Sequence, residues 1–318
     1  LPQAMRVLTS PAETGAVTLA LPQDVQAEAW DWPDALLAPR TWVIPRTRPD
    51  ASALAAAADL IATAQRPMIV VGGGVVYSDA ADAVDGFVSR FDVPFTETQA
   101  GKGALRWDHP MNMGAIGSTG TSAGNAVAHD ADVVIAIGTR LSDFPTMSWS
   151  AWQHPDVRFV AVNVAELDAA KAAALPLVGD ARITLQELVQ VLDESGWAGV
   201  PAERREHVER LRTEWHVEAE RVLHLSAQHH VSQPEAMRLV NEQLADGVVV
   251  CAAGGLPGDM HKLWRPATPG SYHMEYGNST MGYEIAGGIG VALAEPERRV
   301  HVMLGDGSYL MLANEILT

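Results

Sequence analysis

The sequence predicts an α/β protein with two doubly wound parallel-sheet domains, of which the second is incomplete. Residues 67–71 are continuously apolar, and so are residues 133–138 of the strand predicted at 132–138, as is typical of strands that are buried on both faces of a sheet. Helical patterns separate such runs, and strands separated by helices form right-handed βαβ units with a parallel sheet. The same alternation returns after residue 233, where residues 247–251 form another apolar run.

Length and composition indicate a globular protein with room for two domains. The chain has 318 residues, of which 47 % are hydrophobic and 19 % are charged. Acidic residues outnumber basic ones by 39 to 22, which gives a formal net charge of −17. Nucleic acid and anionic membranes recruit clustered lysine and arginine, so neither is expected as a partner.

Cys251 is the only cysteine of the sequence, so no disulfide can form within the chain. This fits a reducing cytoplasm, which is the expected location. Cys251 lies in an apolar run, and we predict that it is a buried core residue rather than a nucleophile. No apolar run is long enough to span a bilayer.

The chain is expected to contain five segments. Residues 1–30 resemble the tail of a preceding domain, with a short strand at 16–21, and the proline-rich residues 31–50 predict a linker. A central α/β domain covers 51–194, a charged helical connector covers 195–232, and an incomplete second α/β domain covers 233–318. Both ends look like cuts through a longer protein.

Within the central domain, apolar periodicity predicts the elements in order. The predicted helices and strands after residue 51 are helix 52–64, strand 67–71, helix 79–91, strand 93–96, strand 132–138, strand 158–163, strand 175–178 and helix 181–194. The connector carries several histidines that suggest a metal site, but no carboxylates or cysteines lie at ligand spacing. A solvated face is therefore the favoured interpretation for His207, His216, His224, His229 and His230.

A glycine turn follows the first strand and suggests a dinucleotide site. The pattern of such sites needs a third glycine, and Tyr77 occupies that position after Gly72 and Gly74. A ribose-binding acid is also not clearly placed. The turn is therefore weak evidence for NAD or FAD.

The second domain brings three segments to one crevice. They are the turn at 252–258 after the apolar run, the start of a glycine-containing apolar helix at 281–294, and the turn Gly305–Ser308 after the strand that begins at Val300. Ligands of open α/β sheets bind in such crevices. We expect another backbone to pack close to the helix, because it contains Gly282, Gly287, Gly288 and Gly290. Asp306 either holds a Mg²⁺ ion shared with a diphosphate or caps the next helix.

These residues resemble those of a known family. Ser279-Thr-Met-Gly282 and Gly305-Asp-Gly-Ser308 resemble the diphosphate-binding domain of thiamine diphosphate enzymes. Residues 67–74 and 138–143 are similar to the central domain of the acetolactate-synthase-like group. Within that group the likeness is closest to a hydrolase of myo-inositol breakdown, and it is carried by residues 11–25, 97–103 and 275–288.

The resemblance implies thiamine diphosphate and Mg²⁺ as cofactors. Asp306 would ligate Mg²⁺, and the backbone around Gly305, Gly307 and Ser308 would hold the diphosphate. The Met281 side chain would wedge under the cofactor and force its bent shape.

Two further contacts follow from the same resemblance. The backbone carbonyl of Ser279 would accept a hydrogen bond from the cofactor's 4′-amino group, and His261 would contact the diphosphate. The second metal ligand, an asparagine, and the glutamate that activates the cofactor are expected outside these residues. Asn314 is too near Asp306 to be that ligand.

The implied activity is opening of a cyclic 1,2-dione to 5-deoxyglucuronate by a homodimer or homotetramer. In the resembling enzymes the cofactor lies between two subunits, so we expect these 318 residues alone to bind it weakly and to turn over no dione. Acetolactate synthase or another 2-oxo-acid lyase is the alternative within the family, and it can carry FAD. A non-catalytic nucleotide-binding or oligomerisation module is the alternative from another class.

Overall fold

The protein contains two parallel β-sheets. Its structure is a computed structural model that describes residues 1–227, 229–244 and 246–318. The chain divides into two units, Leu1–Thr47 and Arg48–Thr318. The strands are β1 (Pro67–Val71), β2 (Phe95–Glu97), β3 (Asn112–Ala115), β4 (Val133–Ile137), β5 (Arg158–Asn163), β6 (Leu175–Val178), β7 (Val248–Cys251), β8 (Tyr272–Met274) and β9 (Val300–Val302).

Helices connect the strands. They are α1 (Pro2–Leu8), α2 (Gln23–Gln26), α3 (Asp34–Leu37), α4 (Ala51–Ala62), α5 (Gly73–Tyr77), α6 (Ala81–Phe91), α7 (Ser122–Asp130), α8 (Asp143–Thr146), α9 (Glu166–Ala169), α10 (Ala181–Ser195), α11 (Ala202–Leu223), α12 (Gln233–Leu244), α13 (Gly255–Leu263), α14 (Tyr283–Ala294) and α15 (Asp306–Leu312). Short 3₁₀ helices lie at Lys171–Ala173 and Ala313–Leu317.

The larger sheet is doubly wound, as the sequence predicts. Its six parallel strands follow the order β3-β2-β1-β4-β5-β6. Side chains of β1 alternate between two cores: Ile69 and Val71 pack with α4, α6 and α10, whereas Met68 and Val70 pack with α7 and α11. Burial on both faces explains why the central strands β1 and β4 are continuously apolar.

The second sheet has three parallel strands in the order β8-β7-β9. Its central strand β7 is fully buried and ends at Cys251, which confirms the prediction that this cysteine is a core residue. Burial raises the pKa of the Cys251 thiol to about 12.

The glycine turn after β1 closes against the end of β4. A Cβ at Gly72 would overlap the carbonyl oxygen of Gly138, and a Cβ at Gly74 would lie 2.5 Å from the Gly138 Cα. The Gly74 N–H donates to the same carbonyl over 2.9 Å. The close approach of two strand ends is therefore sufficient reason for these glycines, without a nucleotide.

The connector packs through one face of α11. Arg204 forms a two-pronged ion pair with Asp130 of α7, and Val208 is buried in the core beneath. His216 lies against the Trp107 ring, and His224 is exposed. Among the described residues no group of three or more His, Cys, Asp or Glu could hold a metal ion.

The unit Leu1–Thr47 contains short helices and no strand among its residues, all of which are described. The strand predicted at residues 16–21 is thus wrong for this structure. A strand needs a hydrogen-bonded neighbour, and this unit supplies none. As for membranes, none of the helices in the described parts of the chain combines the length and apolarity that crossing a bilayer requires.

Candidate functional site

Two glycine-rich turns lie side by side at one edge of the three-stranded sheet. Strands β7 and β9 are hydrogen-bonded parallel neighbours, so their carboxyl ends meet at the same edge. The turn after β7 leads into α13 at Gly255, and the turn after β9 leads into α15 at Asp306. This confirms that the two strand ends converge on one crevice, the usual ligand position in such sheets.

The backbone of the two turns near the Asp306 carboxylate is not covered by side chains. Apart from the adjacent backbone, no heavy atom of the described residues lies within 4 Å of a Cβ built at Gly254, Gly255 or Gly305, so these turns leave room for a bound group. Asp306 is exposed, and its Oδ1 accepts from the Gly307 N–H over 2.9 Å. Ser308 is buried, with 2 % of its surface exposed. One carboxylate is thus available to a metal here, and Mg²⁺ commonly takes its other ligands from phosphate and water.

Met281 lies beside the same turn. Its Cε is 3.4 Å from the point where a Cβ at Gly307 would stand, and 44 % of its surface is exposed. The helix predicted from residue 281 begins instead at Tyr283, because Gly282 adopts a left-handed conformation with φ of 90° as the N-cap. Met281 is therefore on the loop before the helix, with its side chain free to face a ligand.

The contacts that require glycine in α14 differ from those we predicted. A Cβ at Gly288 would overlap the side chain of Val302 on β9, and one at Gly287 would lie 2.6 Å from the Tyr283 ring. A Cβ at Gly290 would have open space around it. Side chains, not another backbone, make the close contacts.

Ser279 lies in a loop that a single carboxylate holds. The Glu275 carboxylate accepts from the Asn278 N–H over 2.9 Å and from the Thr280 N–H over 2.7 Å. Between them Ser279 adopts a positive φ of 52°. Burial raises the pKa of Glu275, but these hydrogen bonds outweigh it, so the pKa lies below the usual value. An ionised Glu275 thus fixes the loop.

Glu284 is a site residue that the sequence did not reveal. It is fully buried in the first turn of α14. Its carboxyl accepts from the Gly282 N–H over 2.9 Å and from the Ala253 N–H over 3.4 Å. It therefore ties the turn after β7 to the segment that carries Met281. From sequence, a polar residue in the first turn of a helix is expected to be exposed to solvent. Only the fold shows that Glu284 is buried.

His261 is buried between α13 and residues of the larger sheet. It is 1 % exposed on α13. Its Nδ1 lies 2.8 Å from the Thr119 hydroxyl, and its Nε2 lies 2.9 Å from the Glu97 carbonyl oxygen. Both ring nitrogens thus have protein partners on the larger sheet's side, and they join α13 to the end of β2. The contact of His261 with the diphosphate stays a prediction.

A pH dependence follows from this burial. Burial first, and the Lys102 charge second, lower the pKa of His261 to about 3. Below pH ~6.5 the unfolded chain binds a proton that the native protein does not. The free energy of unfolding should fall by roughly 1.4 kcal/mol per pH unit from this group as the pH drops from ~6.5 towards 3.

The measurement is urea unfolding of wild type and His261→Gln at pH 7, 6 and 5. Carboxyl groups titrate identically in both, so the variant should show the shallower loss of stability. Equal slopes in the two proteins would contradict the buried neutral histidine.

Buried charged groups lie next to His261. Burial raises the pKa of Glu97 and lowers that of Lys102, while attraction between the two opposes both shifts. The Tyr272 hydroxyl donates to the Gln99 Oε1 over 3.3 Å, and Gln99 donates to the Pro257 carbonyl over 3.2 Å. The residues after β2 therefore anchor α13 and β8, which flank the crevice.

Comparisons with known proteins agree with this architecture. Residues 54–188 match the family described as "Thiamine pyrophosphate enzyme, central domain". Residues 252–318 match "Thiamine pyrophosphate enzyme, C-terminal TPP binding domain". The crevice with Asp306 and Met281 lies wholly within the second match.

Two curated relatives with the name 3D-(3,5/4)-trihydroxycyclohexane-1,2-dione hydrolase are similar to nearly the whole chain. That of Clostridium tetani (strain Massachusetts / E88) is 40 % identical over 340 residues, which cover 99 % of this chain and 52 % of the relative. That of Bacillus thuringiensis (strain Al Hakam) is 43 % identical over 340 residues, with coverage of 99 % and 52 %. The chain thus spans about half the length of the curated relatives that it matches. On both domain matches, and with a fold and crevice that fit them, the chain belongs to the thiamine pyrophosphate enzymes.

Proposed function

We propose that the polypeptide containing this chain is a thiamine diphosphate-dependent hydrolase that opens trihydroxycyclohexane-1,2-dione to 5-deoxyglucuronate in myo-inositol breakdown. The observation that carries the proposal is the pair of open glycine turns beside Asp306, within the region that matches a thiamine pyrophosphate-binding domain. The choice of substrate rests on the name shared by relatives that are 40–43 % identical over 99 % of the chain.

The residues of the crevice fit the cofactor and its metal. The glycine turns leave backbone N–H groups approachable, as a diphosphate requires, and Asp306 offers a hard oxygen ligand. On a chain with a formal net charge of −17, a divalent cation would offset the charge of the diphosphate. Gly305, Gly307 and Ser308 would hold the diphosphate, and Asp306 would hold Mg²⁺.

Two more groups would orient the cofactor ring. The Met281 side chain is flexible and half exposed beside Gly307, which suits a support under the bent cofactor. The Ser279 carbonyl would accept from the aminopyrimidine. Held by these residues, thiamine diphosphate would supply a carbon nucleophile and an acceptor for the negative charge of C–C cleavage.

We also propose that the enzyme works as a homodimer or homotetramer in the cytoplasm. In the resembling enzymes the cofactor lies between two subunits, and a lone buried cysteine suits a reducing compartment.

Product analysis tests the proposed reaction. We expect the complete natural polypeptide that contains these residues to convert one dione into one open-chain acid when it is supplied with thiamine diphosphate and Mg²⁺. NMR would identify the acid, and proton release would report the rate of its formation. Pyruvate in place of the dione should give no acetolactate. Acetolactate formation without dione opening would instead favour a 2-oxo-acid enzyme. Absence of both reactions and of cofactor binding would favour a non-catalytic module.

A further inference from the structure

The β8–α14 loop, which comprises residues 275–282, carries both Ser279 and Met281. Two side chains meet across the base of this loop, His273 from β8 and Tyr283 from the first position of α14. The Nε2 of His273 lies 2.6 Å from the hydroxyl oxygen of Tyr283, which is a hydrogen-bond distance. A side-chain contact thus joins two residues that are 10 positions apart, with the whole loop between them.

The rings of His273 and Tyr283 also stack. Their centroids lie 5.8 Å apart, and their planes are inclined by 29°. A Cβ at Gly287 would lie 2.6 Å from the Tyr283 ring, so the glycine one turn further along α14 leaves this ring its place. Burial lowers the pKa of His273 and raises that of Tyr283, so both side chains are uncharged at neutral pH.

The contact joins the two ends of the loop, whereas other bonds fix its interior. At one end, His273 is the register partner of Val250 on the buried strand β7, so its backbone is held by the sheet. Within the loop, the Glu275 carboxylate accepts from two N–H groups on either side of Ser279. Those bonds set the shape of the turn around Ser279, but they do not set the distance between β8 and the start of α14. The contact between His273 and Tyr283 does.

We propose that Tyr283, through its hydrogen bond to His273, is a positioning residue that closes the β8–α14 loop and thereby sets Ser279 and Met281 for the binding of thiamine diphosphate. The proposal rests on the proposed function in so far as Ser279 and Met281 contact that cofactor. Tyr283 acts through the loop and is not itself placed against the cofactor.

A double-mutant cycle tests the proposal in the complete natural polypeptide. Calorimetry gives the Mg²⁺-dependent dissociation constant of thiamine diphosphate for wild type, Tyr283→Phe, His273→Leu and the double variant. Tyr283→Phe should raise the constant about fivefold, which corresponds to about 1 kcal/mol, the contribution of one hydrogen bond. In the His273→Leu background the same change should raise it by less than about twofold, because the bond is already absent. Equal effects of Tyr283→Phe in the two backgrounds would overturn the proposal.

A conservative variant and a matched control separate the bond from the packing of the rings. His273→Gln has a side-chain amide that can reach the Tyr283 hydroxyl, so it should bind the cofactor at least about threefold more tightly than His273→Leu. Equal affinity of these two variants would mean that the hydrogen bond does not matter, and would count against the proposal. Tyr309→Phe, at a tyrosine that is 46 % exposed, is the matched control and should leave the dissociation constant unchanged.

Hydrogen exchange provides a readout that does not depend on the cofactor. Without ligand, amides of residues 277–281 should exchange about fivefold faster in Tyr283→Phe than in wild type, while the exchange of β4 in the larger sheet stays within about twofold. Unchanged exchange in the loop would overturn the proposal. If wild type binds no cofactor but the variant shows faster loop exchange, the proposed function is refuted and the loop-closing role of Tyr283 is kept.

Steady-state kinetics distinguish positioning from a direct part in the reaction. Tyr283→Phe should raise the apparent KM for thiamine diphosphate about fivefold and leave kcat at saturating cofactor within about twofold of wild type. A fall in kcat with an unchanged KM for the cofactor would contradict the positioning role.

Discussion

Asp306→Asn is expected to weaken Mg²⁺-dependent binding of thiamine diphosphate by on the order of 100-fold. The asparagine oxygen is a poorer ligand for a hard divalent cation than a carboxylate, and the change also removes the negative charge that attracts the ion. On a chain with a formal net charge of −17, the metal ion would offset the charge of the diphosphate. The measurement is calorimetric titration of the complete natural polypeptide with the cofactor at fixed Mg²⁺.

The choice of asparagine separates a metal ligand from a helix cap. In the structure the Asp306 side chain accepts from the Gly307 N–H, and an asparagine oxygen can accept the same bond. The melting temperature without ligand should therefore stay constant while cofactor binding falls. Chelation of Mg²⁺ should strongly weaken the binding of thiamine diphosphate to wild type. It should have little effect on the variant, because the variant has already lost the contribution of the metal.

Glu297→Gln is the matched control, because it removes an exposed carboxylate elsewhere in the same domain. Its cofactor affinity should equal that of wild type. Full Mg²⁺-dependent binding by Asp306→Asn would mean that the Gly305–Ser308 turn only starts a helix, and the proposed cofactor site would then be wrong.

Local sequence patterns predicted the elements whose residues are similarly buried from one end to the other. Strands β1, β5 and β6 have the predicted bounds, because each is an apolar or β-branched run between clear turn signals. Strand β3 was missed because Asn112 and Gly114 interrupt it. Helix α13 was missed because it begins Gly-Leu-Pro-Gly, which reads as a turn.

Parts of the site could be predicted for a similar reason. The turn at Gly305–Ser308 is local, and its placement beside the β7 turn follows from parallel strands with equal direction. The partners of His261 could not be predicted, since Thr119 and Glu97 are distant in sequence and only the packing of α13 brings them together. Glu284 was missed on the same ground: nothing in the sequence of a helix shows which of its polar residues faces inward.

Glu284 underlies the second large effect. Glu284→Gln should lower the free energy of unfolding by about 2 kcal/mol or more, because a buried N–H group loses its acceptor and an amide donor takes the place of an oxygen. The two N–H groups belong to Gly282 and Ala253, and the glutamine oxygen can satisfy only one of them in this geometry. For a unit of this size the melting temperature should fall by roughly 4–8 °C.

Cofactor binding should respond as well, and this distinguishes Glu284 from Asp306. The Glu284 carboxyl accepts from the N–H of the left-handed Gly282, which directly follows Met281 in the chain. Glu284→Gln should therefore weaken thiamine diphosphate binding by about tenfold, a second effect beyond the loss of stability. Asp306→Asn should lower affinity alone, and Glu297→Gln should lower neither. If the Glu284→Gln protein has the melting temperature of wild type, this buried carboxyl does not hold the two segments together. If its melting temperature is lower but its cofactor affinity is that of wild type, the position of Met281 does not limit cofactor binding.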